Sequence, residues 1–157
     1  MSANRLRVAI AQTPVGFDPR ANGAVIRGQM REAAAAGARH FQYCLSVSDA
    51  HNRANIGRDT DASLAAMPAA VEHSRAAGGT IQLCLATAFT CPFDGPVDPD
   101  RVLEIACDPR ADGAADIVLA DTLGQAVPAQ VTALVSRVRA DSPARRIVFH
   151  GHDTWGL

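Results

Sequence analysis

The sequence contains no lysine, since all 15 of its basic residues are arginine. That excludes a lysine Schiff base and a phosphate-loop lysine, and with them two large groups of mechanism. Aromatic residues make up only 4% of the chain, so a core must be assembled from aliphatic and small side chains, alanine above all. No uninterrupted apolar run approaches the roughly 18 residues that a membrane span needs. The residues after Met1 are polar and then strand-like, so no secretory leader is expected. None of the four cysteines, Cys44, Cys84, Cys91 and Cys107, stands in a C-x-x-C pair, and free thiols in a reducing cytoplasm are expected. A surplus of positive charge is also missing: 15 basic against 16 acidic residues give a net charge of -1. This argues against nucleic acid or an anionic membrane as partner.

What is present suits a packed globular chain. The apolar share is 48%, and 157 residues match one domain of roughly 150. The apolar stretch Leu6–Ala11 is followed by Asp18-Pro19, an N-cap with proline in the first helical turn, and a helix running to Gly37. Phe41–Val47 reads as a second strand. From Asp61 to Ala77, Leu64, Met67 and Val71 share one helical face, with Pro68 expected to bend that helix. Ile81–Ala86 is a third strand, and Asp98-Pro99 opens a helix that Pro109 ends. Asp116–Ala120, a helix over Pro128–Val138 and a strand over Arg146–His150 complete the pattern. Five strands separated by four helices predict an α/β fold with a parallel sheet and right-handed crossovers. The sheet is either part of a (β/α) barrel or a rearranged open sheet.

The segment His150-Gly151-His152-Asp153-Thr154 is the most informative for chemistry. Residues two apart in a strand face the same side, so His150 and His152 can present two imidazoles to one divalent ion. Two histidines alone do not complete a metal shell. Asp121, beside Thr122 after the fourth strand, ligates a metal, orients a ligand or caps the following turn through its side chain, and on the sequence alone the cap is favoured. Cys91-Pro92 lies in the turn-rich loop Thr90–Pro96. A nucleophilic thiol there would need a base or positive field beside it, which a sequence does not show, so a structural role is favoured.

Several stretches together carry a resemblance. Ser46-Val47-Ser48-Asp49-Ala50-His51-Asn52 with Asn55-Ile56, Cys91-Pro92-Phe93-Asp94-Gly95, Leu119-Ala120-Asp121-Thr122-Leu123-Gly124 and His150-Gly151-His152-Asp153-Thr154 occur in the order of the 3-hydroxy-3-methylglutaryl-CoA lyase family. From about residue 41 to residue 157 the chain resembles the middle and late part of those metal-dependent barrels. The resemblance implies metal-ligand roles for His150 and His152, a place for Asp121 in the same pocket as a catalytic residue, and a retro-aldol cleavage in which a cation polarises substrate oxygens. The family's early strand with its arginine and aspartate ligand has no counterpart here, nor have its later asparagine ligand and glycine-rich catalytic loop. A weakly bound Mg, Mn or Zn ion and no intact active site are therefore expected.

Residues 5–40 resemble another family. Arg7-Val8-Ala9-Ile10-Ala11-Gln12, Asp18, Ala21-Asn22 and Ala35-Ala36-Gly37-Ala38-Arg39 are similar to the first strand and helix of the nitrilase, or carbon-nitrogen hydrolase, family, without its catalytic triad. The two resemblances imply a single α/β domain of recombined or engineered origin, a chimera joined near residue 40. The sheet edges left open by a partial barrel predict a homodimer, one route by which missing ligands could be completed.

Overall fold

A computed structural model describes residues 28–142 and 145–154. The expected strand Leu6–Ala11 and the Asp18-Pro19 cap lie outside them. Helix α1 is described over residues 28–35. Strand β1 (His40–Ser46) follows, then α2 (Asp49–Ile56), α3 (Thr60–Ala65) and α4 (Met67–Ala76). Strand β2 (Thr80–Ala86) leads into a two-residue hairpin, β3 (Thr90–Cys91) and β4 (Gly95–Pro96). Helix α5 (Pro99–Ala106), a 3-10 turn (Pro109–Ala111), β5 (Asp116–Asp121), α6 (Pro128–Asp141) and β6 (Arg146–Gly151) complete the order.

The helix starts follow capping chemistry. The side chains of Ser48, Asp59, Asp98 and Asp108 each accept a backbone N–H from the turn they open. At α6 the side chain of Gln130 reaches back to accept from the Val127 N–H at 3.0 Å. The helix expected as one piece over Asp61–Ala77 is two. It breaks at Ala66, and Pro68 sits in the first turn of α4, where its missing N–H has no partner to lose.

Strands β1, β2, β5 and β6 form one parallel sheet in that order. Cys44 pairs with Cys84, Cys84 with Val118 and Val118 with Val148 across it. Each strand joins beside the one before it, without the reversal of order that marks a doubly wound sheet, so the arrangement is that of a barrel segment. Leu45, Leu83, Leu85, Ile117 and Leu119 bury one face against Met67, Val71, Val102, Ile105, Leu134 and Val138 of the helices. Each such side chain contributes about 1.5–3 kcal/mol on leaving water. The opposite face carries a smaller cluster of Cys84, Val118 and Ala120 packed with Val148. No helix among the described residues is long and apolar enough to cross a membrane.

Candidate functional site

Because the four strands run in one direction, Ser46, Ala86, Asp121 and Gly151 bring their carboxyl ends to the same rim of the sheet, where α/β folds carry their chemistry. The loops there are tied to one another by side chains. After β1, Ser46 Oγ lies 2.7 Å from His51 Nδ1, while Ser48 Oγ accepts the His51 N–H and donates to Asp94 Oδ2 at 2.5 Å. After β2, Thr87 has φ 55°, a left-handed conformation rare for a β-branched residue. Such a residue costs about 1–3 kcal/mol and must be held by its surroundings. Its N–H donates to Thr122 Oγ1 at 2.8 Å and its hydroxyl to the Ala86 carbonyl at 2.6 Å.

Asn52 is the hub beneath this rim. It is fully buried, accepts the Ser46 N–H at 2.8 Å, and donates to the Arg58 and Asp59 carbonyls and to Ser63 Oγ. Beside it, Asp49 accepts the Thr60 N–H at 2.9 Å, a bond that holds its carboxyl below the usual carboxylate range. Cys91 is 2% exposed. Its sulfur accepts the N–H groups of Phe93 and Asp94, both at 3.4 Å, and its S–H points to Ser48 Oγ at 3.1 Å. The thiol is thus an internal brace of the β3–β4 hairpin, as the sequence favours.

The two histidines meet. His150 Nε2 and His152 Nε2 are 3.1 Å apart, and His152 Nδ1 lies 3.0 Å from the Thr122 carbonyl. A carbonyl only accepts, so Nδ1 of His152 carries the hydrogen and neutral His152 keeps a lone pair on Nε2. This is the second-contact pattern that orients metal-binding imidazoles. Gly124 makes the approach feasible. It has φ +64°, and a Cβ there would lie 2.4 Å from the His152 carbonyl oxygen and 2.5 Å from Thr154 Oγ1. The spacing of glycine after Asp121-Thr122 therefore follows from the close passage of residues 152–154.

Asp121 ends β5 within the strand, one residue beyond its expected end, and that fixes where it points. It pairs with Gly151 while His150 pairs with Ala120, so Asp121 and His150 leave opposite faces of the sheet. Asp121 is 2% exposed, its Oδ2 accepts the Ala126 N–H at 2.8 Å, and its Oδ1 has no partner. The turn-capping role is present, and one acceptor oxygen is left over. Asp121 and His152 share a cavity of about 410 Å³, which Gly124, Val131, Phe149 and Asp153 also line. His150 is not part of that wall. Among the described residues no three His, Cys, Asp or Glu side chains form a group able to hold a metal. The donor set therefore fits a divalent ion as a two-imidazole half-site, not as a full shell.

The motif order along this rim is matched by known proteins. The sequence model described as HMGL-like matches residues 9–157. The chain belongs to the HMGL-like family. Its HMGL-like relatives include the (R)-citramalyl-CoA lyase of Chloroflexus aurantiacus, 43% identical over 122 residues, covering 78% of this chain and 38% of the relative. Hydroxymethylglutaryl-CoA lyase YngG of Bacillus subtilis is 34% identical over 112 residues, covering 71% and 38%. The HMG-CoA lyase of Brucella melitensis superposes with a TM-score of 0.74 at 29% identity, over 82% of this chain and 46% of that one. The HMGL-like chain thus spans less than half the length of these relatives, and its four described parallel strands correspond to part of their fold.

Sequence reasoning missed Thr87, Asp94, Ser63 and the Thr122 carbonyl. Thr87 carries no sequence mark of its conformation, and the others act through partners 11–46 residues away.

Proposed function

We propose that this chain supplies the metal-binding rim of a divalent-cation-dependent carbon–carbon lyase acting on a 3-hydroxyacyl thioester, the substrate type that the names of its relatives describe. The single observation behind this reading is the 3.1 Å approach of the His150 and His152 Nε2 atoms with His152 oriented by the Thr122 carbonyl. His150 and His152 would hold the ion, Mg, Mn or Zn. When bound, it would polarise the substrate's oxygens so that charge developing during bond cleavage is stabilised. The chain's own part is to keep the His152 lone pair free through Nδ1–H donation to Thr122. Asp121, to which the family resemblance gives a catalytic place, keeps one unpaired carboxylate oxygen, Oδ1, buried on the helix face beside the cavity it shares with His152, and it would have to turn toward the histidine face to take the proton of the substrate hydroxyl.

Two imidazoles make weak binding the expectation, and no arginine matching the family's charge-stabilising one was found in the sequence. Losing one such donor costs about 2.7–4 kcal/mol of transition-state stabilisation, so the chain alone should cleave 3-hydroxy-3-methylglutaryl-CoA poorly if at all. Titration calorimetry with Mn(II) tests the half-site: heat is expected from the wild type and none from the His150→Ala, His152→Ala double variant. Equal heats would overturn it. A second reading, completion of the site by another subunit, is favoured by the outer edge of β6, which has no strand partner among the described residues. Chelator-sensitive acetoacetate release that rises with protein concentration would support it. The proposal of a chimera rests on the short resemblance of residues 5–40 alone, and the family match from residue 9 supports a continuous lyase-family chain instead.

A further inference from the structure

Cys44 and Cys84 are side-by-side partners in the β1–β2 ladder, on the sheet face opposite the helices. One step below them Gln82 Nε2 donates to Gln42 Oε1 at 2.7 Å, which fixes the direction of this row of side chains. One end of the pair is open: Cys44 is exposed, while Cys84 is buried. Both are free thiols, and neither has a part in the histidine site.

We propose that Cys44 and Cys84 form a dithiol capture site for a thiophilic centre that takes two sulfurs at once, of the trivalent-arsenic type. Parallel strands lie about 4.8 Å apart, and directly paired side chains leave them in the same direction. The two Cβ atoms therefore stand about as far apart as the strands, wider than the roughly 3.5–4.5 Å a disulfide requires. Direct sulfur–sulfur closure would have to pinch two strands that backbone hydrogen bonds hold at both ends, Thr80 N–H to Arg39 at 2.7 Å and Val47 N–H to Ala86 at 2.9 Å. An inserted atom bridges the sulfurs without that movement.

Ionisation also favours capture at this pair. The Cys84 thiol, acting as hydrogen-bond donor, brings Cys44 down to about 7, while that same interaction and burial push Cys84 up. The exposed sulfur attacks first and the buried one closes the chelate. With an organoarsenic(III) oxide the balance is simple. The arsenic–oxygen bond breaks, two arsenic–sulfur bonds form, both thiol hydrogens leave with the oxygen as one water, and arsenic remains trivalent.

Phenylarsine oxide added to the full chain tests this by intact mass spectrometry. One adduct, equal to chain plus reagent less one water, is expected, released by a small dithiol and not by the same concentration of a monothiol. Cys44→Ser and Cys84→Ser should each raise the half-saturating concentration about a hundredfold, the loss expected when a two-point attachment becomes one-point. Cys107→Ser, which removes the other exposed thiol, should leave it unchanged. In unmutated protein, peptide mapping after adduct formation should find Cys44 protected from iodoacetamide and Cys107 alkylated, a readout independent of whether the variants fold. Undiminished adduct in a Cys44→Ser, Cys84→Ser double variant, or Cys44 alkylated in the adduct, would overturn the proposal.

Discussion

The N–H of Thr87 donates to Thr122 Oγ1 at 2.8 Å, joining the end of β2 to the loop after β5. The same Thr122 offers its carbonyl to His152 Nδ1 at 3.0 Å. One residue thereby restrains a left-handed backbone on one side and the orientation of an imidazole on the other.

Replacing Thr122 by valine keeps the shape and removes the hydroxyl. The Thr87 N–H is then left without its partner beneath a residue that is 0% exposed, at a cost of about 1–3 kcal/mol. Thr122→Ser should retain most of the stability. Urea unfolding of both variants checks this, and equal midpoints for the two would contradict it.

Gly124→Ala should be worse than Gly151→Ala. The first places a Cβ 2.4 Å from a backbone oxygen of His152 at a positive φ, a conformation that alone costs an alanine about 1–2 kcal/mol. The second meets only the outer edge of the Phe149 ring, at 2.5 Å, and that residue is 44% exposed and can turn aside. Thermal unfolding should rank them so, and Mn(II) heats should fall further for Gly124→Ala because His152 must move.

Stability should decline on acidification partly through Asp108. Its carboxylate receives Nε and Nη2 of Arg110 and the Arg110 N–H, which hold it below the usual carboxylate range. A folded-state value below the unfolded one, about 3.9, stabilises the native state above that unfolded value. The contribution is lost as pH falls through the folded value. Asp108→Asn should therefore be less stable than wild type at pH 7, with the gap narrowing below about pH 4. A gap that stays constant in thermal scans would argue against this origin.

Self-association is expected from the edge of β6, which has no strand partner among the described residues and lies beside the exposed Phe149. Two-fold pairing is the commonest closed solution. Light scattering should give a mass twice 16.4 kDa at micromolar protein; a mass that stays at the single-chain value as concentration rises would count against it.

The alternation of strands and helices was legible because apolar periodicity and Asp-Pro caps are local, as at Asp98-Pro99. The split at Ala66 was not, since Pro68 can kink one helix or begin another, and neighbouring packing decides. The His150/His152 pair was read from the period of a strand, yet β6 ends at Gly151 and it is the Thr122 carbonyl that orients His152 just beyond it. The separation of Asp121 from His150 turned on a single residue of strand length: with β5 reaching Asp121, parity sends the carboxylate to the helix face. Thr87 was illegible because its conformation is imposed by Thr122, 35 residues later.

The order β1, β2, β5, β6 also bears on synthesis. Each of these four strands docks on the edge completed just before it, so the sheet can assemble in the sequence in which the ribosome delivers it. A nascent chain that has released Thr122 already possesses three paired strands, the Thr87–Thr122 tie and the hub at Asn52. Of the described strands β6 arrives last, bringing His150 with His152 directly behind it, so the proposed two-imidazole half-site is delivered to a sheet whose other three strands are already paired.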